Sequence, residues 1–256
     1  MDSRVERMAA SKRGRRSWAK GLSSASDERI ARNARTRTGR PRGPYDLPRF
    51  TVIRTDPISY LGETREADYS YLLGLYLGDG CIVGKMNRLE ITLDKRYPLI
   101  IETCAASMRR LHPRNRVAIR SHGNAAVVNS YGREWQLLFP QHGRGRKHLR
   151  LIRLENWQKT IVERHPFALL RGLLESDGCF VRRIVGGREY PAYDFTNESR
   201  DIRDIFCQVA TRVGLHYTFP AANRVSIAKR RDVTLLAPHV TGKTFAARED
   251  RGNPSR

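Results

Sequence analysis

Acidic residues are in short supply in this chain: 26 Asp and Glu stand against 48 Lys and Arg in 256 residues, a formal net charge of +22. Such an excess belongs to proteins that meet a polyanion, with an affinity that falls steeply as salt rises. Long apolar runs are missing too. None approaches the roughly 18 residues that a membrane-spanning helix needs, and no basic amphipathic helix or lipidation signal points to a membrane surface. Cysteine is scarce, four in all, with no Cys-x-x-Cys spacing that would read as a zinc site. The four sit in apolar surroundings and are expected to be small core residues of a reducing compartment. No Gly-x-x-x-x-Gly-Lys-Ser/Thr loop is present, which argues against an ATPase; Thr241-Gly242-Lys243-Thr244 has only the tail of one. The opening residues are charged throughout and carry no secretory signal, so an intracellular protein is expected.

What the chain does have is a phrase said twice. Leu72-Leu73-Gly74-Leu75-Tyr76-Leu77-Gly78-Asp79-Gly80 is echoed by Leu170-Arg171-Gly172-Leu173-Leu174-Glu175-Ser176-Asp177-Gly178, and each runs on into Cys81 or Cys179. As helices, both carry small residues four apart on one face (Gly74 and Gly78; Gly172 and Ser176). Facing stripes of that kind let two backbones approach closely. Gly80 and Gly178 suit the left-handed position that ends a helix. Asp79 and Asp177 then fall in the last turn, where the macrodipole is negative and a carboxylate is unfavourable. A single Asp-Gly reads as a turn. Two in matching frames are better explained by a bound cation, most simply Mg²⁺ or Mn²⁺, held by oxygen ligands. The echo extends further, through Cys104 and Cys207, and through Met108-Arg109-Arg110-Leu111-His112 and Arg212-Val213-Gly214-Leu215-His216. A second-half hairpin some five residues longer would account for the drift in offset. Internal duplication follows.

At these residues the chain resembles the LAGLIDADG (DOD-type) homing endonucleases, in the single-chain form with two motifs, over roughly Tyr69 to Lys243. The resemblance implies an α+β fold: two pseudo-symmetric αββαββα subdomains forming a β-saddle, with the motif helices as the central seam. It implies a metal-dependent phosphodiester hydrolase that cuts double-stranded DNA and serves intron mobility, Asp79 and Asp177 each binding metal and cutting one strand. The carbonyls of Gly78 and Ser176 are the companion ligands expected. The family often has a second acid two positions earlier; Glu175 fills that place in the second motif and Leu77 in the first. Arg171 is unusual in a seam helix and is expected to point outward. Family sites commonly hold a lysine near the last strand of a half, and Lys229 occupies that place here, opposite Ser130 in the first half.

The expected organisation is a basic N-terminal arm or small helical DNA-binding module with its linker (1–50), a first subdomain (67–140), a basic linker and helix (141–165), a second subdomain (166–243) and a tail (244–256). The arm holds 14 Lys and Arg against 5 Asp and Glu, and either a short helical module within Trp18–Ala34 or an arm that orders on DNA fits it. Strand-like alternation (Leu89, Ile91, Leu93; Val117, Ile119; Tyr193, Phe195; Val225, Ile227) means one packed face and one free face. The free faces are expected to present Lys85, Arg88, Arg116, Arg120, Arg182, Arg183, Arg188, Asn197, Asn223, Arg224 and Arg230 to the edges of bases. His142 and His148, in a Gly-rich basic loop, fit phosphate contact or plain exposure better than catalysis. The rivals are a DNA-binding transcriptional regulator on the same scaffold that does not cut, and an RNA-binding helper of intron splicing. Met1, and the lack of a terminal His-Asn pair, set the chain apart from inteins. A monomer on duplex DNA in the cytoplasm and nucleoid, away from membranes, completes the expectation.

Overall fold

A computed structural model describes residues 25–26, 28–29, 31–32, 56–84, 87–240 and 243. The chain divides into two units, Met1–Pro48 and Arg49–Arg256. In the first, Glu28, Arg29, Ala31 and Arg32 are helical; the rest of the expected arm, and Lys85, lie outside the described residues. The second unit holds α1 (Pro57–Leu61), α2 (Glu63–Asp79), β1 (Gly80–Val83), β2 (Arg88–Asp94), α3 (Pro98–Leu111), β3 (Val117–His122), β4 (Ala125–Tyr131) and α4 (Glu134–Leu138). After a connecting α5 (Asn156–Arg164) the pattern recurs as α6 (Pro166–Asp177), β5 (Gly178–Val185), β6 (Arg188–Thr196), α7 (Arg200–Arg212), β7 (Thr218–Ala221), β8 (Arg224–Ile227) and α8 (Arg230–Leu236). Two αββαββα lobes are therefore present. Their antiparallel sheets share one topology, β1-β2-β4-β3 and β5-β6-β8-β7. Among the described residues no helix is long and apolar enough to cross a membrane.

The two motif helices form the seam. α2 is buried on nearly every side, through Tyr69, Leu72, Leu73, Leu75, Tyr76 and Leu77, as suits a helix at the centre of a core. Contact with α6 is backbone to backbone. A Cβ on Gly172 would lie 2.2 Å from the Tyr71 carbonyl oxygen, and one on Gly74 would lie 2.5 Å from that of Leu169. Ser176 fits because its hydroxyl folds back onto the Gly172 carbonyl of its own helix, at 3.0 Å. Arg171 does not simply point outward: its guanidinium lies 4.7 Å over the Tyr71 ring and its Nε donates to Glu175 Oε1 at 2.9 Å. Tyr71 donates to Glu175 Oε2 at 2.7 Å, so this buried acid is spent inside the seam.

The ends of these helices depart from expectation in one respect. Gly80 and Gly178 have φ of −93° and −97° and are extended, the first residues of β1 and β5. Glycine is required there by crowding rather than by a left-handed turn: a Cβ would stand 2.5 Å from Tyr76 Cα or 2.7 Å from Leu174 Cα. The chain thus passes straight from helix to strand, and both sheets start at the seam. Leu89, Ile91, Leu93, Val128, Tyr193, Phe195, Val225 and Ile227 face the helices and join one core. The alternate residues of each strand, Cys81, Glu90, Cys179 and Asp194 among them, lie on the opposite face, the free face as far as the described residues of this unit go. Cys81 pairs with Glu90 and its counterpart Cys179 with Asp194, so the second hairpin is longer, as the drifting offsets implied. Cys104 and Cys207 are core residues, but Cys81 and Cys179 are exposed, because the residue after each extended glycine points to the free face.

Candidate metal and nucleic-acid site

Because α2 and α6 end side by side, the two Asp-Gly steps meet. A Cβ on Gly78 would lie only 2.9 Å from Asp177 Oδ2. A cavity of about 490 Å³ opens here, lined by Gly78, Asp79, Lys147, His148, Asp177 and Asn197 among others. A second, of about 270 Å³, shares Asp79 and adds Asp94, Ser176, Cys179 and Lys243. Burial among the helix ends, and then the charge of Asp177, push Asp79 up to about 6, although its side chain still reaches water. Burial also raises Asp177, against a 2.6 Å hydrogen bond donated by Asn197 Nδ2 to its Oδ2. Asn197, expected to read bases, is therefore a partner of Asp177.

Two lysines complete the site. Lys147 Nζ donates to the carbonyls of Leu77 at 3.0 Å and Gly78 at 2.9 Å, and to that of Tyr76. Lys243 Nζ donates to the carbonyls of Ser176 and Gly178, both at 2.7 Å. Each ammonium caps the negative end of its own lobe's motif helix. Their charges cross over: Lys147 is felt most by Asp177, and Lys243 by Asp79. Burial lowers both lysines, Lys147 to about 8. Lys229 is not one of this pair. β8 enters from Arg224, opposite Thr196 at the site, and runs away toward Ile227, opposite Tyr193. Lys229 lies beyond that far end, exposed, at the N-cap of α8. The overlooked signal was a second doubling, Gly145-Arg146-Lys147 and Gly242-Lys243, each following the last helix of its half.

The donor set suits a hard divalent cation. Asp79 and Asp177 bring carboxylates whose repulsion and burial a cation would relieve, and the Gly78 and Ser176 carbonyls already hold cationic groups. Among the described residues no cluster of three or more His, Cys, Asp or Glu forms a ready-made cage, so two carboxylates with carbonyls and water are the means available.

The basic side chains divide by strand parity. Arg88, Arg120, Arg183, Arg188 and Arg224 share the free faces with Glu90, Asp194 and Thr196. Arg116, just before β3, and Asn223, in the β7–β8 turn with its Nδ2 donating 2.7 Å to Glu198, flank those faces. Arg182 cannot join them, since neighbours on a strand point to opposite faces; it lies on the side of Phe180, 3.8 Å from Glu189. Arg230 sits in the first turn of α8, on no strand. His148 lines the larger cavity and His142 Nδ1 lies 3.1 Å from the Phe139 carbonyl.

No protein-family model and no curated relative matches this chain. Solved structures do resemble it. The crystal structure of I-DmoI in complex with DNA and Ca is 19% identical, with a TM-score of 0.49, covering 68% of this chain and 88% of that one. I-DmoI with DNA and Mn is 16% identical (TM-score 0.49; 69% and 98%). Full-length DUF199/WhiA from Thermatoga maritima is 12% identical (TM-score 0.48; 72% and 58%). At these identities the likeness concerns the fold and nothing beyond it.

Proposed function

We propose that this protein is a LAGLIDADG-type endonuclease that binds duplex DNA across its two free sheet faces and hydrolyses one phosphodiester bond in each strand at the seam, with Mg²⁺ or Mn²⁺. The observation that carries the reading is the pairing of Asp79 and Asp177 at the adjoining helix ends, with Lys147 and Lys243 bonded to the carbonyls beside them. Asp79 and Asp177, with the carbonyls of Gly78 and Ser176, would hold the ions. A bound divalent ion supplies a water of lowered pKa and neutralises charge developing on the phosphoryl oxygens. The chain's own groups do the rest. Lys147 spends its three N–H donors on the α2 carbonyls, so its part is to place positive charge at the site, where it can offset charge on a phosphate. Lys243 takes the matching place beside Asp79. Asn197 fixes the Asp177 carboxylate. Arginines on the free faces neutralise phosphates and meet base edges, and the net charge of +22 supports a nucleic-acid partner.

The same observations favour one rival. Ammonium groups already occupy the helix-end carbonyls, so a regulator that binds DNA without cutting would also be electrostatically complete. Incubation with a randomised duplex library and Mg²⁺ separates the two. Cutting by the wild type, single-strand nicking by Asp79→Asn and by Asp177→Asn, and no scission by the double variant are expected. Lys147→Met should slow cutting, whereas Lys229→Met should leave it unchanged. Sequence-specific binding without any scission by the wild type would make the protein a regulator instead.

A further inference from the structure

The free faces carry a second doubled arrangement, one step out along each sheet from the seam. Cys81 lies two residues beyond Asp79 and pairs with Glu90; Cys179 lies two beyond Asp177 and pairs with Asp194. Each of these acids is the hub of two arginines. Glu90 Oε1 is 2.6 Å from Arg88 Nε and also bonds Arg120, while Arg88 Nη1 donates to Tyr131 Oη at 2.9 Å. Asp194 accepts from Arg183 Nη2 through both oxygens at 2.8 Å, is 4.0 Å from Arg224 Nη1, and accepts from Ser226 Oγ at 2.6 Å. Four arginines on four different strands thus converge on two equivalent acids.

Acids on a surface that meets phosphates are a liability for affinity, and these two are sunk into it. The Asp194 side chain is 7% exposed and that of Glu90 16%, against 52% for Arg120, 40% for Arg183 and 45% for Arg224. Each cluster keeps a net positive charge with the carboxylate beneath; Arg120, Arg183 and Arg224 reach well into water, whereas Arg88 is 27% exposed and lies over the Tyr131 ring. A guanidinium has five N–H donors in a fixed fork, so an acid that takes one or two leaves the others free to bond outward. A fork held in place before binding loses less freedom when it binds. Its bidentate match in the major groove is the O6 and N7 edge of guanine.

Resting on the DNA reading above, we infer that Glu90 and Asp194 are specificity-positioning residues: each holds an arginine pair, Arg88 with Arg120 and Arg183 with Arg224, to read guanine in one half of the target. The acids are equivalent under the lobe duplication, but their arginines stand on β2 and β3 in one lobe and on β5 and β8 in the other, so each half of the target has its own guanine position. The acids contribute no contact of their own to the DNA.

Selection from a randomised duplex pool, without metal and read by sequencing of the bound fraction, tests this. The wild type should enrich guanine at one position or more in each half of its target. Glu90→Gln should flatten that preference at least fivefold in one half-site, a loss of about 1 kcal/mol of discrimination, and leave the other half-site intact. Asp194→Asn should do the converse, and both variants should bind random duplex as tightly as the wild type or more tightly. Should Asp194→Asn fail to fold, Arg183→Lys, which keeps the charge and removes the fork, should give the same one-sided flattening. Preferences that survive in both acid variants, or no guanine preference in either half-site of the wild type, would overturn the inference while leaving DNA binding in place. No duplex binding by the wild type would overturn the DNA reading itself and the inference with it.

Discussion

Replacing Asp79 with Asn should make the metal-free protein more stable at neutral pH, although it removes a proposed metal ligand. Burial and the charge of Asp177 raise Asp79 from 3.8 to about 6, and that is the net after the attraction of Lys243 and Lys147. The folded protein therefore holds this proton more tightly than the unfolded chain does. Stability is fully present below pH 3.8, falls as pH rises, and is lost once pH passes about 6. The rise from 3.8 to about 6 corresponds to about 3 kcal/mol at most. The side chain is exposed, so screening by water reduces the expected effect to about 1–2 kcal/mol, or roughly 3–6 °C in Tm for a unit of this size. Thermal unfolding in EDTA at pH 7.5 should show Asp79→Asn above the wild type, and at pH 4 the two should converge. Mg²⁺ at pH 7.5 should raise the wild type and move the variant much less. An Asp79→Asn protein as stable as the wild type or less so, in EDTA at pH 7.5, would refute the reasoning.

Two further tests bear on the seam and the free faces. Gly172→Val should destabilise the protein by at least about 3 kcal/mol, because its first added carbon would sit 2.2 Å from a backbone oxygen that cannot move without separating the helices; a thermal scan gives the answer, and a Tm within a few degrees of wild type would contradict the close packing. A thiol reagent should label Cys81 and Cys179 in the native protein and Cys104 and Cys207 only on unfolding, and bound duplex should protect the first pair.

The seam was legible in the sequence because helical spacing and small residues leave a periodic mark, and Asp79 and Asp177 are tied to that mark by position. The alternation of Leu89, Ile91 and Leu93, and of Tyr193 and Phe195, gave the packed faces for the same reason. The same alternation rules out Arg182 beside Arg183 on one face, a constraint that counting basic residues overlooks. Lys147 and Lys243 could not be found by period, since they lie in loops and reach the site through the path of the chain rather than through a repeat of 2 or 3.6 residues. Their only trace was a Gly and Lys recurring after each lobe's last helix, and in the second copy this resembled the end of a phosphate-binding loop. Gly80 and Gly178 show a different limit. Sequence marks a glycine, but whether it is needed for a positive φ or for lack of a side chain depends on what packs against it, here Tyr76 and Leu174.

An aspartate at the end of a buried helix is opposed by the helix's own carbonyls, and two such helices brought together add the repulsion of one carboxylate for the other. The lysines answer both problems with one group each. Lys147 bonds the carbonyls of α2 and acts most strongly on Asp177; Lys243 bonds the carbonyls of α6 and acts most strongly on Asp79, and each is also felt by the other aspartate. Duplication alone explains why there are two aspartates and two lysines. Crossing explains why neither lobe is electrostatically complete without the other: a lobe by itself would keep its aspartate and lose the lysine that acts on it most strongly. The seam glycines, which bring the helix ends close enough for this exchange, are thus tied to the chemistry as firmly as the carboxylates are.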